Sequence, residues 1–155
     1  MFFGSWSYDR FNVVKEVQQL CRDKKMTLFA KLYMPFQSYI RRIISGEHFP
    51  FELLRFRSMS KSEYYDLMNN SDLIFDVPNR KQVGSSMRTI ETLSLKKKLI
   101  TTNKNVKLEF FYHPDNVLVW PEEKDDLECF VNKSYNAASL SYILNLKQWL
   151  NAMGF

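Results

Sequence analysis

A chain of 155 residues fits a single domain, and its 45% hydrophobic and 15% aromatic content excludes a disordered tail. Four Gly and five Pro leave no material for a Gly/Pro-rich linker or a repeat array. The net charge of +5 allows an anionic substrate, an anionic membrane surface or nucleic acid as partner, but no basic stripe with interleaved aromatics supports nucleic acid.

Phe2-Phe3-Gly4-Ser5 reads as a short strand running into a glycine turn. Phe11, Val14, Val17 and Leu20 then recur at helical spacing and predict a helix over about 9–24. Alternation in 27–34 predicts a strand, 36–44 a helix, and 51–56 a further strand. Ser60 and Glu63 have the spacing of a capping box, so a helix should begin there and run to about Asn69. Residues 73–77 are the next strand, followed by a polar loop with Gly84, a helix over about 85–95, and a strand over 98–101. Lys96, Lys97 and Lys98 fall where that helix should end, the end of the dipole that favours cations. A short helix within 105–112, a strand at 117–120 stopped by Pro121, and an amphipathic helix over 139–153 complete the chain.

Short strands alternating with helices predict an α/β fold with one parallel, doubly wound sheet, a three-layer α/β/α Rossmann-like domain spanning 1–155. Ligands collect outside the carboxyl ends of such strands. Three segments fall there, 4–8, 76–86 and 101–105.

The middle segment carries the chemistry. Strand, glycine loop, helix and strand form the unit that presents backbone N–H groups to a phosphate, and a carboxylate further along the helix can reach a sugar hydroxyl. Gly84, Ser85, Ser86 and Arg88 are the phosphate candidates and Glu91 the hydroxyl candidate. The plainer alternatives are a loop glycine at Gly84, an N-cap at Ser85 and a solvated Arg88–Glu91 ion pair. Asp76, Lys81, Gln82 and Lys104 border the same loops. Cys21, Cys129, His48 and His113 are isolated in sequence, fit no metal or redox spacing, and suit a reducing compartment. His113 beside Pro114 is expected to fix a turn. No apolar run reaches about 18 residues, and no basic region precedes Phe2-Phe3, so neither a membrane span nor a signal peptide is expected.

From 71 to 116 the sequence resembles a family of bacterial glycosyltransferase-like proteins of lipopolysaccharide and capsule assembly. The matching motifs are Asp76, Lys81-Gln82, Gly84, Met87-Arg88-Thr89-Ile90-Glu91, residues 97–103 (Lys-Lys-Leu-Ile-Thr-Thr-Asn), and 111–116 (Phe-Tyr-x-Pro-x-Asn). Phe3-Gly4-Ser5 followed by Tyr8-Asp9-Arg10 resembles that family's entry into its second Rossmann-like domain. The resemblance implies a single GT-B C-terminal domain, the half that grips a nucleotide-diphosphate sugar. It further implies Gly4 and Ser5 near the diphosphate, Gly84, Ser85, Ser86 and Arg88 bordering it, and Glu91 on the ribose.

The function so implied is transfer of a glycosyl unit to a cell-surface polysaccharide or lipopolysaccharide acceptor, without metal or other cofactor. The N-terminal half of a GT-B enzyme is expected to be absent. The alternative is therefore a non-catalytic nucleotide-binding or interaction module that needs a separate N-terminal-type partner. A receiver-like signalling domain would need an acidic cluster after the first strand, where Gly4-Ser5-Trp6-Ser7 stands. The expected partners are the donor, a saccharide acceptor, a second copy or an N-terminal-type domain. The expected location is cytoplasmic, with peripheral contact at the inner face of a membrane.

Overall fold

A computed structural model describes residues 1–79 and 81–137, which excludes the C-terminal amphipathic segment expected at 139–153. The chain divides into two units, Met1–Leu67 and Met68–Phe155.

In the first unit β1 (Phe2–Ser5), β2 (Ala30–Tyr33) and β3 (Leu54–Arg55) form a parallel sheet in chain order. Phe2 pairs with Ala30, Ser5 with Tyr33 and Leu32 with Leu54. The alternation that predicts β2 is visible in its burial, with Ala30 and Leu32 inside and Lys31 and Tyr33 half-buried. The strand is shorter than expected because pairing begins only at Ala30. Helix α1 (Tyr8–Asp23) is capped by Ser7, whose Oγ accepts the Arg10 N–H at 3.2 Å, and buries Val14, Val17 and Cys21. Helix α2 (Phe36–Ile44) occupies the predicted residues but buries none of them. Helix α3 (Lys61–Asn69) starts at the expected capping box: Ser60 Oγ accepts the Glu63 N–H at 3.2 Å, and Glu63 Oε2 accepts the Ser60 N–H at 2.8 Å. In the segment expected as one strand over 51–56, a 3₁₀ turn at Phe51–Leu53 leaves only Leu54 and Arg55 extended.

In the second unit β4 (Leu73–Asp76), β5 (Lys98–Thr101) and β6 (Val117–Val119) form another parallel sheet in chain order. Leu73 pairs with Lys98, Asp76 with Thr101, and Thr101 with Val119. β5 is central and buried along its whole length, as a parallel strand covered on both faces should be. Helix α4 (Met87–Ser94) packs Leu93 into a core with Leu99, Val106, Phe111, Val117 and Val119. A 3₁₀ turn over Lys104–Leu108 stands where a short helix is expected, and α5 (Leu127–Asn132) is an element without a sequence expectation. Within each unit the architecture is parallel α/β, compatible with a Rossmann-like fold.

α1, α2 and α4 end in the same way. Met26, Glu47 and Lys97 donate their N–H to the carbonyls of Cys21, Arg42 and Thr92, and Lys25, Gly46 and Lys96 adopt left-handed φ of 54°, 82° and 53°. This is the Schellman closure, with lysine at the left-handed position in two of three cases. The lysine run after α4 therefore divides. Lys96 closes α4, Lys97 donates to the Asn69 carbonyl at 2.7 Å, and Lys98 is buried in β5. Lys98 Nζ donates to the carbonyls of Phe130, Val131 (3.3 Å) and Lys133 (2.5 Å), at the C-terminal end of α5. The cation serves a helix dipole, but that of a helix some thirty residues further on. Burial pushes its ammonium below the ordinary lysine range.

Candidate functional site

Asp76 ends β4 and is 3% exposed. A buried carboxylate needs partners, and two come from the start of α4. Ser86 Oγ donates to Asp76 Oδ2 at 2.5 Å, and Arg88 Nη1 donates to Oδ1 at 3.3 Å. Ser86 Oγ also accepts the Thr89 N–H at 3.1 Å, which makes Ser86 the N-cap. The cap that the plainer alternative puts at Ser85 thus falls one residue later, and the helix begins at Met87. Ser85 instead donates its hydroxyl to Glu109 Oε1 at 3.1 Å. Arg88 pairs with Asp76, the two side chains being 19% and 5% exposed.

The loop before α4 is fastened from the carboxyl end of β5. Asn103 Nδ2 donates to the Gly84 carbonyl at 3.3 Å, and Asn105 Nδ2 to the Val83 carbonyl at 3.2 Å. Asn103 in turn caps the following 3₁₀ turn through the Asn105 N–H at 3.1 Å. Among the described residues the only cis peptide is Trp120–Pro121, so the peptides after Val83 and Gly84 are trans. In a trans peptide the N–H opposes the carbonyl. With both carbonyls held by asparagines, the N–H groups of Gly84 and Ser85 are turned away from that side. Among the described residues the N–H groups of Gly84, Ser85, Ser86 and Met87 have no protein acceptor. Gly84 is exposed, and a Cβ there would meet no atom within 4 Å. The arrangement is a run of open donors at a positive helix end, the elementary form of an anion site.

The other sequence candidates fall as follows. Glu91 is half-buried and lies one turn beyond Met87, closer to the helix start than expected. Gly4 and Ser5 belong to the first unit and are paired strand residues, not a glycine turn. Gly4 faces the Phe2 ring, which a Cβ would approach to 3.1 Å, so its size is used in packing. The Ser5 carbonyl accepts from Arg10 Nη1 at 3.1 Å. Lys81 and Gln82 are exposed, with both backbone N–H groups turned onto Asn79. Lys104 pairs with Glu122 at 2.5 Å, which holds that carboxyl below its ordinary range. His113 fixes a turn as expected. Its carbonyl accepts the Asn116 and Val117 N–H groups, its Nδ1 accepts the Asp115 N–H at 3.2 Å, and its Nε2 faces the Asn136 side-chain amide. Among the described residues no group of three His, Cys, Asp or Glu side chains could hold a metal ion.

Sequence places Asn103 and Asn105 only within the segment 101–105 and gives Glu109 no role. The segment 101–105 is recognisable as a strand end, but nothing local says that its asparagines reach back some twenty residues. Comparison of the chain with family models, with curated proteins and with solved structures finds no match.

Proposed function

We propose that the chain binds a nucleotide-diphosphate sugar at the loop 83–86 and the start of α4, as the donor half of a GT-B-type glycosyltransferase with a three-layer Rossmann-like fold. The reaction served is glycosyl transfer to a cell-surface polysaccharide or lipopolysaccharide acceptor. The observation that carries the reading is the run of open N–H groups from Gly84 to Met87, held in place by Asn103 and Asn105. A diphosphate set against these donors gains hydrogen bonds and the favourable end of the α4 dipole without a metal ion. Arg88 is turned onto Asp76, so its part is to orient the helix start and neutralise the buried carboxylate beside the phosphates. Glu91 then accepts ribose hydroxyls.

Asp76 is engaged by Ser86 and Arg88, so it is not free to act as a general base. On this reading the chain supplies donor binding, and the acceptor side and base come from a separate N-terminal-type domain.

Calorimetry with nucleoside diphosphates and their sugars tests the reading. Glu91→Ala should weaken binding roughly ten- to hundredfold, the value of hydrogen bonds to a charged group. Unchanged affinity, or no binding by the native chain, would remove the proposal.

A further inference from the structure

We infer that the outward face of α2 is a membrane-docking surface for anionic lipid. In an ordinary α/β unit a helix between two parallel strands turns its apolar stripe onto the sheet. In α2 the stripe points the other way. Phe36, Ile40, Ile43 and Ile44 fall within one arc of about 100° on the helix, and they are 58%, 40%, 41% and 80% exposed. The half-buried positions are Ser38, Tyr39 and Arg42.

Arg42 is held inward by Glu47 at 2.9 Å and lies over the Tyr8 ring. Tyr39 packs on Phe49, Phe51 and Phe56. Phe56 in turn contacts Phe36 and Phe51, so Phe51, 65% exposed, extends the same apolar surface. The helix is therefore anchored by its polar side and its one tyrosine, and among the described residues its isoleucines keep 40–80% of their surface open.

Charge selects the occupant. Residues 1–67 hold eleven Lys and Arg against seven Asp and Glu, whereas the rest of the chain holds eleven against ten. The positive excess thus lies in the unit that bears the stripe. Arg41, on the flank of α2, and Arg57, next to Phe56, are both exposed. Glu52 is the acidic neighbour of Phe51. A second copy of the chain would set like charge against like, while an anionic bilayer attracts it. Nine residues, about 13 Å of helix, suit lying in the interface plane. Among the described residues no helix is long and apolar enough to cross a membrane.

Co-sedimentation with phosphatidylglycerol–phosphatidylcholine vesicles and with pure phosphatidylcholine vesicles tests the inference. The native chain should pellet with the anionic vesicles and be released by salt. The double variant I40S/I44S should bind about tenfold more weakly or worse, and Arg41→Glu about fivefold more weakly. These side chains are exposed, so circular dichroism should be unchanged. Native protein left in the supernatant, or variants that pellet equally, would overturn the proposal. So would a lipid-free dimer that I40S/I44S dissociates, since the face would then belong to a second copy. Nucleotide calorimetry on the same variants should be unaltered, so loss of this inference and loss of the donor-site reading are separately visible.

Discussion

Each unit carries a serine, a carboxylate and an arginine at the start of a helix, and the two sets differ in where their members come from. At α3 the serine and carboxylate are three residues apart on the helix, Ser60 and Glu63, and the arginine, Arg55, comes from strand β3. At α4 the serine and arginine, Ser86 and Arg88, belong to the helix start, and the carboxylate, Asp76, comes from strand β4. The first set is open to water, with the Arg55 and Glu63 side chains 25% and 42% exposed. The second is nearly closed, with Asp76 at 5%. The first is a helix cap reinforced by a neighbour. The second is a helix start held to a strand end through a buried charge, which positions the open N–H groups beside it.

Arg88→Met should break the buried set most severely. The Asp76 carboxylate would keep Ser86 but lose its counter-charge, and an uncompensated buried charge costs about 3 kcal/mol or more. Urea unfolding of the variant measures this, and Asp76→Asn added to Arg88→Met should recover much of the loss. A cost below about 1 kcal/mol would mean that the pair behaves like an exposed one. Ser86→Ala comes next. It removes the cap on Thr89 and one bond to Asp76, for about 1–2 kcal/mol by the same measurement.

The same contrast explains what the sequence discloses. The capping box at Ser60 is legible because both partners lie within one turn. α2 and β5 are legible because their apolar patterns are local. The start of α4 is misread by one cap because Ser85 and Ser86 are equivalent by type. Only Asp76 and Glu109, ten and twenty-four residues away in sequence, assign them different duties. The lysine run marks the end of α4 as expected, but the duty of Lys98 is missed for a related reason. Lysine, not glycine, takes the left-handed position after α4, and the real partner of Lys98 is α5. α5 itself ends on an ammonium supplied by β5, so its own residues do not announce it. Nor does periodicity say which way an amphipathic helix faces. The stripe of α2 is plain in sequence, but its exposure depends on Tyr39 and Arg42 being the anchored side.

The exposed set gives the smallest effect and the sharpest dependence on pH. Hydrogen bonds from the Ser60 amide, then from Arg55 and the Ser60 hydroxyl, hold the Glu63 carboxyl at about 2, below its ordinary 4.5. The folded value is the depressed one, so the ionised form favours folding. Its contribution is complete above about 4.5 and is lost as the pH falls toward about 2. Glu63→Gln retains an acceptor for the Ser60 N–H but removes the charge facing Arg55. The native chain should therefore be the more stable at about pH 6, and the gap in urea midpoint should narrow as the pH is lowered to about 3. A constant gap across that range would show that the carboxylate charge contributes nothing and that the capping box acts through hydrogen-bond geometry alone. The two sets would then differ in kind, with charge working only where water is excluded.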